Sequence, residues 1–209
     1  MKDIMKDNEL FNLIINTKHE DYNEDGDSVN YLIQVDNENK IVRLIFEQSK
    51  SKRDWINNFA FPIKPYKNQK NVLLISRGYA RAYKSCNDKI QELFIKKVNE
   101  NKNYKIEISG WSFGGAMAIL AAEDFYYRSN KKANVITFGT PKILFGKKSK
   151  EHILESVESI KQYCNINDLV IYLPPFLFYK HINKIKIGNR FNFFKLFNVF
   201  KYHKQYDII

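Results

Sequence analysis

The length and composition of the chain predict one globular domain, residues 1–209. Hydrophobic residues make up 44% and charged residues 27%, which excludes wholesale disorder. Two cysteines, Cys86 and Cys164, are too few for a disulfide framework or a cysteine-based metal site. The 34 Lys and Arg residues exceed the 23 Asp and Glu residues, giving a net charge of +11. That charge suits nucleic acid or anionic lipid, or reflects a coding bias toward Lys, Asn and Ile.

The amino terminus, residues 1–9, is charged throughout, whereas a secretory signal needs an apolar run after its basic start. No apolar run in the chain reaches the roughly 20 residues of a membrane span. We therefore expect a protein that stays in the cytoplasm or is released without a conventional signal peptide, with membrane association limited to surface contact.

The amino-terminal half of the chain combines helical and extended patterns. Apolar residues recur at helical spacing over residues 3–17, which predicts a helix. β-Branched residues in Val29–Val35 and Ile41–Phe46 predict two strands. The segment Asn23–Asp27 resembles the start of a calcium loop but lacks the remaining ligands, so we interpret it as a surface turn.

From residue 72 onward, predicted strands and helices alternate. The predicted strands are Val72–Ile75, Lys105–Ile108, Asn134–Phe138, Ser159–Cys164 and Lys184–Ile187. The predicted helices are Ala80–Val98, Ala116–Tyr127 and His152–Ile160. This alternation predicts an α/β fold, with a mostly parallel central sheet and helices on both faces.

One motif indicates a specific chemistry. Gly110–Gly114 fits G-x-S-x-G and lies between a predicted strand and a predicted helix, the setting in which the motif holds a serine nucleophile on a tight turn. Ser112 is therefore the candidate nucleophile. The backbone N–H of Phe113, at the start of the helix, is a candidate donor to an oxyanion.

A serine hydroxyl needs a base, and the base needs a carboxylate that orients it. In this setting both follow the serine in chain order. Asp168 comes directly after a predicted strand, where catalytic groups lie in open α/β sheets. Of the two later histidines we favour His203, close to the end of the chain, and keep His181 as the alternative.

Together these segments resemble the class 3 lipases, the fungal-lipase-like branch of the α/β-hydrolases. The resemblance covers about residues 41–206, in the family's order. The matching segments are Phe46–Ser49 with Arg53–Asn58, Ser76–Tyr83, Gly110–Gly115, Thr137–Pro141, Asn167–Pro175, and His203 with Tyr206.

The resemblance implies a compact α/β-hydrolase fold and a serine carboxylester hydrolase. It implies a triad of Ser112, Asp168 and His203 that works through an acyl-enzyme, and an oxyanion hole formed by Ser49 and Phe113. The expected substrates are acylglycerols, phospholipids or smaller esters. No cofactor and no metal are expected, and the oligomeric state is left open.

The sequence departs from the family pattern at two places, and the first of them favours an alternative. Glu47 and Gln48 stand where the family has Arg-Gly, and Trp111 stands where it has His before the nucleophile. A catalytically impaired hydrolase that binds lipid or a protein partner is therefore the second hypothesis. A nucleic-acid-binding module is the third, but no zinc, helix-turn-helix or RNA-binding motif accompanies the positive charge, so we expect no nucleic-acid partner.

Two segments are candidates for contact with an anionic membrane surface. Residues 51–60 resemble the family's lid, with Trp55, Ile56 and Phe59 on one face; the alternative is a surface helix packed permanently on the core. Residues 190–203 contain five phenylalanines among basic residues. These phenylalanines either pack in the core or face a membrane interface.

Overall fold

The structure is a computed structural model that describes residues 2–26, 29–48, 63–67, 72–188, 192 and 199–206; for 2–6, 63–67, 72 and 199–200 it describes the backbone alone. The strands in these ranges are β1 (Asn23–Asp25), β2 (Val29–Asp36), β3 (Ile41–Phe46), β4 (Ile63–Lys67), β5 (Val72–Ser76), β6 (Lys105–Trp111), β7 (Asn134–Phe138), β8 (Leu144–Phe145), β9 (Ser159–Asn165), β10 (Tyr179–Lys180) and β11 (Lys184–Ile187). The α-helices are α1 (Lys2–Asn16), α2 (Arg77–Lys84), α3 (Asn87–Glu100), α4 (Phe113–Ser129), α5 (Gly146–Ser156) and α6 (Val199–His203).

A seven-stranded sheet forms the centre of the described residues, in the order β1-β2-β3-β6-β7-β9-β11. The strands from β3 to β11 in this order run parallel, and β1 and β2 are antiparallel additions at one edge. The prediction of a mostly parallel sheet is therefore confirmed. Because β3, β6, β7 and β9 are parallel, their carboxyl ends meet at one edge of the sheet, where ligands bind in folds of this kind.

Helices cover both faces of this sheet, as predicted. On one face, helices α2 to α5 pack with the strands into a large apolar core. On the other face, Leu10, Phe11 and Ile14 of α1 pack with Phe138 and Tyr163 of the sheet. A polar contact also anchors α1, because the carboxylate of Asp7 accepts a hydrogen bond from the Tyr163 hydroxyl at 2.5 Å.

A smaller antiparallel sheet was not predicted. Its strand order is β10-β8-β5-β4, and two of its strands have only two residues each. A strand of two residues has no alternating pattern, so sequence periodicity cannot reveal it. Through β10, this sheet positions the chain around residues 176–180.

Three predicted boundaries are wrong. The helix predicted over Ala80–Val98 is two helices, α2 and α3, separated at Ser85, whose hydroxyl donates to the carbonyl of Ala82 at 2.7 Å. Helix α5 ends at Ser156, before the predicted end of the His152–Ile160 helix, because the chain enters the central sheet as β9 from Ser159. The predicted turn at Asn23–Asp27 begins with a short strand, β1.

The side chains of Glu123 and His152 meet between α4 and α5. The Glu123 carboxyl is fully buried and contacts Nε2 of His152 at 2.7 Å. Burial, together with the charge of Asp124, raises the pKa of Glu123 to about 8. Burial also lowers the pKa of His152. Near neutral pH the folded protein therefore keeps a proton on Glu123 that the unfolded chain releases.

This proton predicts a pH-dependent stability. Between about pH 6.5 and 8 the native state binds more protons than the unfolded state, so the free energy of unfolding should fall as pH rises. The expected slope is at most about 1.4 kcal/mol per pH unit. Below that window the lowered pKa of His152 acts in the opposite direction. Urea unfolding at several pH values measures the slope.

Glu123→Gln is the matched control, because it keeps a polar group of the same shape that does not titrate. We expect its free energy of unfolding to be flatter than that of the parent protein from pH 6.5 to 8. Equal slopes in the two proteins, or a parent stability that rises with pH, would contradict the assignment.

Candidate active site

Ser112 lies at the sharp turn between β6 and α4, as the motif predicts. Its backbone has φ 57° and ψ −117°, a conformation that non-glycine residues rarely adopt. The turn is fixed by hydrogen bonds from the N–H of Ser112 to the carbonyl of Phe138 at 2.8 Å, and from the N–H of Gly115 to the carbonyl of Ser112 at 3.1 Å. The strained serine is thus held at the carboxyl end of a central strand.

Gly114 allows the first turn of α4 to touch the end of β3. A Cβ atom on Gly114 would lie 2.7 Å from the carbonyl oxygen of Glu47 and closer still to that of Phe46. No other residue fits this approach without moving the backbone. The end of β3 therefore lies directly beside the amino end of α4, where the N–H of Phe113 is located.

Asp168 and His203 are in direct contact. Nδ1 of His203 lies 2.7 Å from Oδ2 of Asp168, and both side chains are buried. The Tyr206 hydroxyl donates to the same Oδ2 at 2.6 Å, and the N–H of Val170 donates to Oδ1 at 2.9 Å. Burial and the charge of Asp168 raise the pKa of Tyr206 well above its ordinary value, so the phenol stays protonated and keeps donating.

The same short segment contacts both the serine and the histidine. The carbonyl of Phe138 accepts the Ser112 N–H, and the next residue, Gly139, has a φ of 57°. A Cβ atom on Gly139 would lie 3.0 Å from Cε1 of His203. Because Phe138 and Gly139 are consecutive, the imidazole of His203 lies beside the turn that holds Ser112.

Trp111 holds the segment that carries His203. Its Nε1 donates to the backbone carbonyl of His203 at 3.0 Å, and the centroids of the two rings are 5.2 Å apart. Phe11 of α1 packs against Trp111 with a centroid distance of 6.1 Å and against Tyr206 at 5.7 Å. The tryptophan that departs from the family pattern therefore has a positioning contact of its own. Sequence reasoning did not find this contact.

His181 has a different environment from His203. Its Nε2 lies 2.8 Å from the backbone carbonyl of Ile171. Burial lowers the pKa of His181 to about 4. Of the two candidate histidines, the structure brings His203 to Asp168.

Several predicted features lie outside the described residues: Ser49, the lid-like residues 51–60, and most of the phenylalanine-rich segment 190–203. Within the described ranges, no group of three or more His, Cys, Asp or Glu side chains is placed to hold a metal ion. In the same ranges, none of the helices has the length and apolar character needed to cross a membrane.

This arrangement is suited to acyl transfer. An Asp–His pair fixes the histidine tautomer, and a serine at a tight turn lies at the amino end of a helix, where backbone N–H groups stabilise negative charge. The chain order Ser112, Asp168, His203 is the order expected for this turn type.

Most of the chain is similar to proteins of one known family. The family described as "Lipase (class 3)" matches residues 43–178. A Rhizopus niveus protein named "Lipase" is 26% identical over 155 residues, which are 72% of this chain and 38% of that protein. The "Secreted mono- and diacylglycerol lipase A" of Penicillium cyclopium is 27% identical over 142 residues, 68% of this chain and 46% of that protein. The chain thus spans less than half the length of either relative.

A solved structure supports the same fold. The triacylglyceride lipase of Rhizomucor miehei superimposes with a TM-score of 0.76 at 18% sequence identity. The match covers 90% of this chain and 80% of that structure. The predicted α/β-hydrolase fold is therefore confirmed.

The backbone strain at Ser112 can be measured directly. We expect Ser112→Gly to be more stable than Ser112→Ala by about 1–2 kcal/mol, because glycine adopts a positive φ without steric cost. The same pair of substitutions at Ser109, in extended β6, should give the reverse order by about 0.5–1 kcal/mol. Chemical unfolding of the four variants measures both differences. The same order at both positions would contradict the strain at Ser112.

Proposed function

Because the chain belongs to the class 3 lipase family, we propose that it is a serine carboxylester hydrolase. In this proposal Ser112 is the nucleophile, His203 the general base and Asp168 the carboxylate that orients the base. The observation that carries the proposal is the 2.7 Å contact of His203 with Asp168 beside the strained turn of Ser112. In the same proposal, residues 1–209 act as one domain.

The reaction follows from these positions. Oγ of Ser112 attacks the ester carbonyl carbon while Nε2 of His203 takes the hydroxyl proton, and Asp168 stabilises the imidazolium that forms. The tetrahedral intermediate collapses, His203 gives its proton to the departing alcohol, and an acyl-enzyme remains on Ser112. Water then attacks the acyl carbon while His203 takes one of its protons. The bond between the acyl carbon and Oγ of Ser112 breaks, His203 returns the proton to Oγ, and the carboxylic acid is released.

The negative oxygen of the intermediate needs donors. The N–H of Phe113, at the first residue of α4, is one donor in this proposal. Ser49 is the second; it lies outside the described residues, but β3 ends three residues before it and touches the amino end of α4 at Gly114. In this proposal the N–H groups of Phe113 and Ser49 both donate to the oxyanion that forms beside Ser112.

The alternative of a catalytically impaired hydrolase rests on Glu47 and Gln48. The Glu47 carboxylate accepts a hydrogen bond from Nδ2 of Asn30 at 2.6 Å and lies 2.9 Å from Nδ1 of His19. Glu47 therefore has a structural role in these contacts. Ser112, Asp168 and His203 are all still present in the chain. The similar proteins are named lipases, and none of these comparisons supports the impaired alternative.

The proposed substrates are acylglycerols, phospholipids or smaller carboxylic esters. The relatives' names mention lipase activity, and for the Penicillium protein mono- and diacylglycerol, which favours lipid esters for this chain. Contact with an anionic lipid surface belongs to the same proposal, because the net charge is +11. The expected cytoplasmic location gains no support from a relative named as secreted and stays a prediction.

Hydrolysis of a soluble p-nitrophenyl ester tests the three roles. We expect Ser112→Ala and His203→Ala each to lower kcat by about 10⁴–10⁶, because the triad acts as a unit. His181→Ala is the matched control, since that ring contacts Ile171 instead of Asp168, and we expect at most about a tenfold loss. Circular dichroism checks that the variants are folded. Full activity of Ser112→Ala, or a larger loss at His181 than at His203, would contradict the assignment.

A further inference from the structure

An exposed apolar loop follows the segment that contains Asp168. Phe176, Leu177 and Phe178, here called the apolar loop, expose 54%, 84% and 66% of their surfaces. The other exposed large hydrophobic residues among those described occur singly and expose at most 43%; they are Ile15, Leu93 and Leu154. Single exposed apolar residues are ordinary, whereas three in succession mark a binding surface.

The apolar loop is fixed by the smaller sheet. The N–H of Gly146 donates to the carbonyl of Phe178 at 2.9 Å, and the N–H of Tyr179 donates to the carbonyl of Phe176 at 3.3 Å. The rings of Phe145 and Phe178 also pack with a centroid distance of 5.7 Å. The backbone on both sides of Leu177 is therefore already ordered, and little conformational entropy is lost when the loop binds.

The apolar loop is linked by hydrogen bonding to the segment that follows Gly139, beside His203. It follows Leu173, whose carbonyl accepts a hydrogen bond from the N–H of Lys142 at 2.8 Å. Lys142 lies three residues beyond Gly139, the glycine against His203. A surface that binds the apolar loop would therefore lie close to the proposed reaction centre.

Three lysines accompany the apolar loop. Lys180 pairs with Leu144 in the smaller sheet, two residues from Lys142. Burial lowers the pKa of the Lys142 ammonium, and the positive charges of Lys184 and Lys180 lower it further. Nζ of Lys184 lies 5.4 Å from the centroid of the Tyr172 ring. Within the part of the chain that the structure describes, none of these three ammonium groups forms a salt bridge. Their charge is available to an anionic partner.

We propose that the apolar loop and Lys142, Lys180 and Lys184 dock the protein on an anionic lipid surface. Leu177 and the two phenylalanines enter the acyl-chain boundary, and the lysines contact the anionic headgroups. This docking rests on the proposed function for its purpose, because it brings the reaction centre to a surface made of lipid esters. It does not depend on residues 51–60 or 190–198.

Vesicle sedimentation tests the docking without catalysis. The full chain carrying Ser112→Ala is mixed with vesicles of phosphatidylglycerol and phosphatidylcholine in equal parts, and with vesicles of phosphatidylcholine alone. We expect strong partition onto the first and weak partition onto the second. Leu177→Ser and the triple variant Lys142→Gln, Lys180→Gln, Lys184→Gln should each reduce partition by about tenfold or more.

Matched controls change the same residue types elsewhere. Leu154→Ser changes an exposed leucine of α5, and Lys96→Gln with Lys102→Gln and Lys105→Gln removes three exposed lysines, of which Lys105 begins β6 at the opposite edge of the sheet. Both should leave partition within about twofold. Leu177→Trp should shift its fluorescence to shorter wavelength on anionic vesicles, and Leu154→Trp should not.

Three results would overturn the docking: no partition onto anionic vesicles, equal losses in the loop variants and the controls, or self-association that Leu177→Ser abolishes while lipid binding is absent. Hydrolysis of a soluble ester by the parent chain is measured separately. If the parent chain binds vesicles but does not hydrolyse the soluble ester, the proposed function is contradicted and the docking is not. Intact hydrolysis without vesicle binding would contradict only the docking.

Discussion

The Asp168 carboxylate is fully buried, and a charge in that position is stable only when donors compensate it. Three donors do so: Nδ1 of His203, the Tyr206 hydroxyl and the N–H of Val170. Two of them belong to the carboxyl-terminal segment. The buried charge therefore both orients the imidazole and ties the end of the chain to the carboxyl edge of the sheet. Orientation of the proposed base and attachment of its segment have one physical cause.

The segment that carries His203 cannot hold its position alone. Helix α6 has five residues, too few to be stable without tertiary contacts. Asn165 supplies such contacts, since its Nδ2 donates to the carbonyls of Tyr202 and Gln205 at 3.1 and 2.9 Å. Trp111 adds the hydrogen bond to the His203 carbonyl, and Phe11 packs beneath it. The first helix of the chain thus supports the last one through an aromatic cluster.

The sequence predicted the elements whose signal is local. The turn at Ser112 follows from two glycines between an apolar strand and an apolar helix, and the parallel sheet follows from alternating patterns. The contacts of Tyr206 and Trp111 could not be predicted in this way, because they join residues far apart in the chain. The smaller sheet was missed because its short strands lack a repeating pattern. The break between α2 and α3 depends on a hydroxyl that bonds the backbone, which helical periodicity does not register.

In the proposed mechanism, the buried Asp168–His203 pair makes Ser112 a reactive nucleophile, although a free serine hydroxyl is inert at neutral pH. Mass-spectrometric mapping after reaction with a fluorophosphonate measures this most directly. We expect one adduct, on the peptide that contains Ser112, and none on the same chain after unfolding. An adduct on a different residue, or equal labelling of the folded and unfolded chains, would contradict it.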